Sequence, residues 1–309
     1  MKTNKGKPQI RKLGTIDCDM VETTPIVIND RLYRFEYVRD NYRYNTTGKS
    51  YFRFKDAETG AVTAPFAEGY HFGSAFNDNG TLYVFGVPLI GGEIMTVFRS
   101  VELVNWEQKD IFNLPDWRLF NNSVCKGADG FVMAFEIGGP PEECGHPFTI
   151  RFAKSDDLWN WALTPSDCVY SKDRYTACPY IRFLPQDGNY YMIYLEALPG
   201  WGYVPYIARS TDLVNWHRSP VNPVLMYDEK EDKKLGSRFI TPDERERINN
   251  ALDINNSDVD MCEFLGRTVI YYSWGNQTGI EFLAEAVYEG PIDELLQGFF
   301  DEWEGGVPC

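Results

Sequence analysis

A seven-residue pattern recurs at a fixed step of 55 residues: Ser100–Trp106 (Ser-Val-Glu-Leu-Val-Asn-Trp), Ser155–Trp161 (Ser-Asp-Asp-Leu-Trp-Asn-Trp) and Ser210–Trp216 (Ser-Thr-Asp-Leu-Val-Asn-Trp). A fixed period means that the chain stacks copies of one supersecondary unit, none of which can bury its apolar face alone. Each copy follows a strand-like run ending at Arg99, Lys154 or Arg209. Ser and Asp bond nearby backbone groups, so the pattern reads as a turn with its Leu and Trp packed beneath it.

The unit extends well beyond that turn. First strands are predicted at Pro25–Ile28, Ser74–Asn77, Ser123–Lys126, Pro179–Leu184 and Asp260–Phe264. Each is followed by a tight turn (Asn29-Asp30, Asn79-Gly80, Asp129-Gly130, Asp187-Gly188, Gly266) whose residues supply the positive φ a hairpin needs. Second strands follow at Leu32–Tyr37, Leu82–Phe85, Phe131–Glu136, Tyr190–Glu196 and Val269–Trp274. Third strands follow at Ser50–Phe54, Met95–Arg99, Phe148–Lys154, Tyr203–Arg209 and Ile280–Ala286. Five units of about four strands predict an all-β chain, a five-bladed β-propeller occupying 1–309 as one domain. The 19 Tyr, 20 Phe and 8 Trp agree, since aromatics favour strands.

The first and last units replace the Ser-to-Trp turn by Lys55–Gly60 and Glu285–Pro291, as terminal repeats often do. Gln9–Leu13 is expected to complete the last blade and close the ring, and Pro291–Trp303 to form a short helix. A charged helical insertion near 228–252 stands outside the repeat. Thr241-Pro242-Asp243-Glu244 starts a helix there with a capping box. The insertion is expected to be a solvated excursion, with a lid or an oligomer contact as alternatives.

Net charge is −15, from 30 basic and 45 acidic residues, which disfavours nucleic acid or an anionic membrane as partner. No apolar run approaches the roughly 20 residues of a membrane span. Met1–Gly14 is basic but has no apolar core of the kind a secretory signal carries. The seven cysteines are odd in number and scattered, so reduced thiols, no disulfides and a cytoplasmic location are expected. His71, His146 and His217 are too widely spaced for a His-rich metal centre. No cofactor is expected, with a structural calcium held by Asp258 and Asp260 as the one ion these residues leave open. Phosphate-cradling, dinucleotide and nucleophile-elbow motifs are all missing from the sequence. Nothing in the pattern sets an oligomeric state.

Five blades with Ser-x-Asp-Leu-x-x-Trp turns resemble the glycoside hydrolase propellers of families 32, 43, 68, 117 and 130, from about Asp19 to Glu289. The resemblance implies a central funnel, with sugar bound where the innermost strands begin and carboxylates converging from different blades. It implies a carbohydrate substrate. The sequence departs from the family pattern at three places: Thr24 precedes Pro25 where families 32 and 43 carry an Asp, Asn121 or Asn122 replaces the third-blade Asp, and Ala177-Cys178-Pro179 replaces the motif with the acid Glu.

Glycoside hydrolysis needs two carboxyl groups flanking one bond, one protonated and one ionised. Catalytic candidates are therefore the acids at inner-strand starts and second-strand ends. Glu22 lies two residues before Thr24 and so shares its side of an extended chain; Asp258 is its counterpart in the fifth unit, with Asp260 two further on. Glu36, Glu136 and Glu196 are expected at matching second-strand ends. The expected acid–base pair takes one member from Glu22, Asp258 or Asp260 and the other from Glu136 or Glu196. His71, Asn121, Arg118 and Trp201 are the candidate sugar contacts, Trp offering an apolar face to a sugar ring. The expected activity is hydrolysis of a short oligosaccharide or glycoside. The alternatives are a non-catalytic sugar-binding propeller and a glycoside phosphorylase using Arg118, Arg174 or Arg182.

Overall fold

The computed structural model describes residues 6–200, 202–276 and 280–301. Five antiparallel sheets are arranged as the blades of a β-propeller. Blade one is β2 (Thr24–Ile28), β3 (Arg31–Val38) and β4 (Tyr51–Asp56); blade two is β5 (His71–Asp78), β6 (Thr81–Val87), β7 (Ile94–Ser100) and β8 (Glu107–Asn113). Blade three is β9 (Leu119–Lys126), β10 (Phe131–Ile137) and β11 (Thr149–Ser155), with the one-turn helix α1 (Pro141–Cys144) between the last two, and is edged by β12 (Ala162–Leu163) and β13 (Val169–Tyr170). Blade four is β14 (Thr176–Leu184), β15 (Asn189–Ala197), β16 (Tyr203–Ser210) and β17 (His217–Arg218).

Blade five is made from both ends of the chain. Its strands β18 (Asn255–Phe264), β19 (Arg267–Gly275) and β20 (Glu281–Tyr288) are completed by β1 (Arg11–Cys18), which pairs antiparallel with β20. The ring closes as expected from the sequence, with the closing strand running further than Gln9–Leu13. Blade one has three strands. Its fourth position is taken by a segment joined through the isolated bridges Phe52–Phe66 and Lys55–Val62.

The repeated turn lies where the third strand of each blade ends, at the end of the propeller opposite the inner-strand starts. Ser155 Oγ accepts the backbone N–H groups of Asp157 (3.2 Å) and Leu158 (2.9 Å), and Ser210 does the same for Asp212 and Leu213. Leu103, Leu158 and Leu213 all take a left-handed φ of 63–65° so that the chain can reverse. The Trp reaches across to the preceding blade: Trp106 stacks on Phe66 at 3.9 Å, Trp161 meets Phe85 edge-on at 5.6 Å, and Trp216 stacks on Phe152 at 5.5 Å. The pattern recurs because blades two, three and four each use it to grip the blade before them. The core lies between the blades, where fully buried Tyr37, Tyr191, Tyr194, Tyr272 and Trp274 pack among aliphatic side chains. Burying that apolar area is the main favourable term in folding.

The insertion differs from the solvated excursion expected of it. Helix α2 (Glu229–Asp232) places Asp232 beneath the surface, where it receives Tyr272 Oη (2.6 Å) and Lys12 Nζ (2.7 Å). Helix α3 (Pro242–Asn250) carries the expected capping box of Thr241 and Glu244, and Ile248 is buried in the core. A buried carboxylate with several donors binds this segment to blade five, and its composition alone did not reveal that. A last helix, α4 (Ile292–Gly298), covers the core with Ile292, Leu295 and Leu296, within the predicted stretch. Of that prediction, residues 302–303 lie outside the described residues. The six described cysteines are all free, and no helix among the described residues is long and apolar enough to cross a membrane.

Candidate active site

The innermost strands β2, β5, β9, β14 and β18 begin at the same end of the ring, and a register irregularity falls near the start of four of them. Residues skip between His71 and Ser74, Ala177 and Tyr180, and Ser257 and Asp260. Glu22, Phe72, Cys178 and Asp258 hold matching points there, with φ of 54°, 52°, 49° and 51°. Left-handed backbone at a residue other than Gly costs on the order of 1–3 kcal/mol and gathers at functional sites. The effect is to turn Glu22, Cys178 and Asp258 off the strand and into the neck, while Phe72 packs against Tyr37 and Phe120.

The narrow neck of the funnel is lined by Glu22, Asn121, Cys178, Asp258 and Asp260, with Gly73 from blade two. A Cβ at Gly73 would lie 2.6 Å from Phe35 and 2.7 Å from Phe52, so only glycine fits between the neck and the blade-one core. Glu22 and Asp258, from adjacent blades, are neighbours here. Burial pushes the Glu22 carboxyl up to about 8; Arg39, whose Nη2 lies 3.2 Å away, opposes this and the Asp258 charge adds to it. Glu281, at the start of β20, is a further acid beside this pair, pushed up chiefly by burial. Ser257 Oγ donates to Asp258 at 2.7 Å.

Glu136 lies behind the lining. Its Oε2 accepts the Cys178 backbone N–H at 3.0 Å and Asn121 Nδ2 at 3.1 Å, and burial raises it to about 7 against those two bonds. Asn121 also reaches Cys178 Sγ at 3.4 Å. Desolvation and the surrounding acids keep the Cys178 thiol protonated, its pKa well above the ordinary value. Asp260 sits lower on the axis and borders both the neck and a second cavity of about 530 Å³ that runs to the far end. Burial pushes it up to about 7 despite bonds from Thr24 and the Met261 N–H.

The three second-strand glutamates do not hold matching places. Glu36 and Glu196 face the preceding blade, whereas β10 alternates the other way and turns Glu136 to the following one, since one step along a strand exchanges faces. Glu36 is clasped by Arg34 and Arg53 (both 2.6 Å) and Glu196 by Arg174 (3.0 Å) and Arg218 (3.4 Å). Neither lines the neck.

Of the candidate sugar contacts, His71 accepts or donates to Tyr37 Oη through Nδ1 at 2.7 Å, and desolvation lowers its proton affinity. Arg118 lies 5.8 Å from the Phe120 ring centre, on the rim. Trp201 lies outside the described residues. Among the described residues no group of three or more His, Cys, Asp or Glu is placed to hold a metal ion.

Reading inner-strand starts and second-strand ends missed Arg39, Cys178 and Glu281. Cys178 holds the Glu22 position in blade four, and Glu281 opens a third strand at the same end; both follow from extending the unit-to-unit alignment. Arg39 follows the end of β3, and its guanidinium lies between the rings of Tyr37 (5.4 Å) and Tyr42 (5.6 Å). Nothing local in the sequence singles it out.

No family model and no curated protein sequence matches the chain. Solved structures match it along nearly its whole length. An α-L-arabinofuranosidase from Podospora anserina, in complex with cellotriose, shares 9% identity over 94% of this chain and 99% of its own, with a TM-score of 0.65. A structure described as a glycoside hydrolase shares 15% identity over 93% of this chain and 94% of its own, with a TM-score of 0.63. A xylan β-1,4-xylosidase from Bacillus halodurans shares 13% identity over 90% of this chain and 54% of its own, with a TM-score of 0.59. The fold is that of these five-bladed glycoside hydrolase propellers.

Proposed function

We propose that the chain is a glycoside hydrolase whose acid–base pair is Glu22 and Asp258. The observation that carries this reading is the placement of two carboxyl groups from adjacent blades at the neck of one funnel. One of them, Glu22, keeps its proton through neutral pH because it is buried. Glu22 donates that proton to the departing glycosidic oxygen. Asp258 acts at the anomeric carbon, either directly or by taking a proton from water. Glu136 touches neither reacting atom. It holds Asn121 and the Cys178 backbone in place beneath the sugar, as a positioning residue. The fold neighbours support a carbohydrate as the substrate class, one having been solved with cellotriose.

One observation favours a second reading, a sugar-binding propeller without catalysis. Thr24, Asn122 and Ala177 carry no carboxyl where the resembling families place theirs. The phosphorylase alternative needs cations around one pocket. Arg174 is engaged with Glu196, Arg182 lines the far cavity and Arg118 stands on the rim, so the three do not converge. Turnover of a panel of aryl glycosides, with and without phosphate, decides among the three. Phosphate-independent hydrolysis is expected. A strict phosphate requirement would establish a phosphorylase, and sugar binding with no turnover would establish the non-catalytic module.

A further inference from the structure

Building on the glycosidase reading, we propose that helix α3 of the insertion is a brace for the active site. Glu244 acts as a positioning residue that sets Glu22 through the turn at 39–45. The insertion touches no reacting atom, yet an unbroken series of contacts leads from it to the neck. Glu244 accepts the backbone N–H (2.7 Å) and hydroxyl (2.8 Å) of Thr241, which fixes it at the start of the helix. The same carboxylate receives Arg43 and the Tyr44 hydroxyl. One turn further along α3, Arg247 grips Asp19 with two donors, and the Asp19 N–H bonds the carbonyl of Glu281 at 3.0 Å. The helix therefore holds both the turn after β3 and the chain leading to Glu22.

The turn itself is stiff. Asn45 Nδ2 donates to the carbonyls of Arg39 (3.0 Å) and Lys49 (2.6 Å), the Tyr42 N–H bonds the Arg39 carbonyl at 3.2 Å, and Tyr51 Oη bonds the Tyr44 carbonyl at 2.8 Å. Fixing Arg43 and Tyr44 thus fixes Arg39, whose Nη2 meets Glu22. The charged and titratable groups facing Glu22 are Arg39 and Tyr42 from this turn, Tyr37 from β3, Asp258 from β18, Glu281 from β20 and Cys178 from β14. Arg39 is the one cation among them. Any loosening of the turn removes the influence that favours ionised Glu22 and leaves the neighbouring acids to oppose it.

The test is Glu244→Gln, which keeps the capping box because Gln serves at that helix position but removes the negative charge that Arg43 pairs with. The protonation midpoint of Glu22 is followed by carboxyl carbon NMR in the full chain, with Glu22→Gln identifying the signal. The midpoint should rise by on the order of one pH unit, the alkaline limb of turnover should move with it, and kcat should fall several-fold. An unmoved midpoint, with only a lower melting temperature, would reduce α3 to a structural support and overturn the proposal. Should Glu244→Gln fail to fold, Tyr44→Phe removes one hydroxyl from the same link and is judged by the same shift. The NMR midpoint needs no substrate, so it decides this proposal even if no glycoside is turned over.

Discussion

Asp157 and Asp212 in the repeated turns, and Glu22 and Asp258 at the neck, are acids placed at matching points of successive blades at opposite ends of the propeller. In the turns the carboxylate lies at the surface and is fully provided with donors. Asp212 accepts the N–H groups of Val214 (2.9 Å) and Asn215 (2.7 Å), which hold it well below the usual carboxylate range. Asp157 is held at about 2; its slight desolvation is outweighed by the N–H groups of Asn160 and Trp159. At the neck the Glu22 carboxyl is buried, and desolvation pushes it up to about 8 against the bond from Arg39. The turn acids satisfy the backbone and help the blade grip its neighbour. The neck acids are held at a cost in folding, which on the glycosidase reading leaves them free for chemistry.

Exchanging single atoms at the two ends should therefore have contrary effects. The largest is on activity: Glu22→Gln or Asp258→Asn should each cost about 10²–10⁴-fold in kcat, the usual contribution of a general acid or base. Asp212→Asn should leave kcat within a few-fold of wild type. Assay of all three on one responsive aryl glycoside checks this, and comparable losses at both ends would erase the distinction.

A second effect lies in pH. Glu22, Glu136 and Asp260 bind their protons more tightly in the folded chain than in the unfolded one, where they titrate near 4. Their contribution to stability is full below about pH 4 and is lost as pH rises through about 7–8. The turn aspartates act in the opposite sense, contributing above their ordinary range and losing that contribution as pH falls. The melting temperature should therefore decline between pH 5 and pH 8. Glu22→Gln should flatten that decline and be the more stable protein at pH 8. A wild-type melting temperature that rises steadily over this range would contradict the assignment of these buried acids.

The end carrying the turns was legible in the sequence because its residues repeat. Blades two, three and four need the same Ser, Leu and Trp for the same purpose, so the period itself reveals the function of the turn. On the glycosidase reading the neck cannot repeat, because five identical residues around one axis could not divide the work of an acid, a base and their supports. Counting from the repeat singled out Glu22 and Asp258, and ring closure makes them neighbours. The partner expected for them, Glu136 or Glu196, lies instead behind the lining or away from the neck. Glu136 was separated from Glu36 and Glu196 only by an offset in β10 that sends alternate side chains to the other face. Arg39 and α3 entered through contacts between segments roughly 200 residues apart, such as Arg43 with Glu244, for which no local pattern exists.

Smaller effects come from the turns alone. Asp157→Ala or Asp212→Ala should lower the melting temperature by a few degrees with kcat unchanged, as calorimetry and the same assay would show. Blade two offers the converse. Its turn carries Glu102, whose carboxylate bonds the Asn105 side chain; Ser100 receives the Glu102 and Leu103 N–H groups. Glu102→Asp should add the two backbone bonds seen in the other copies and raise the melting temperature slightly. A decrease would mean that the longer side chain is suited to that blade.

The most direct measurement of the central claim is the dependence of Glu22→Gln turnover on the leaving group, over aryl glycosides from acidic to weakly acidic phenols. A general acid matters most when the departing oxygen is basic. The variant should approach wild-type rates with the most acidic phenols and fall progressively behind as the phenol weakens. An equal loss across the series, or no loss at all, would contradict the assignment of Glu22 as the proton donor.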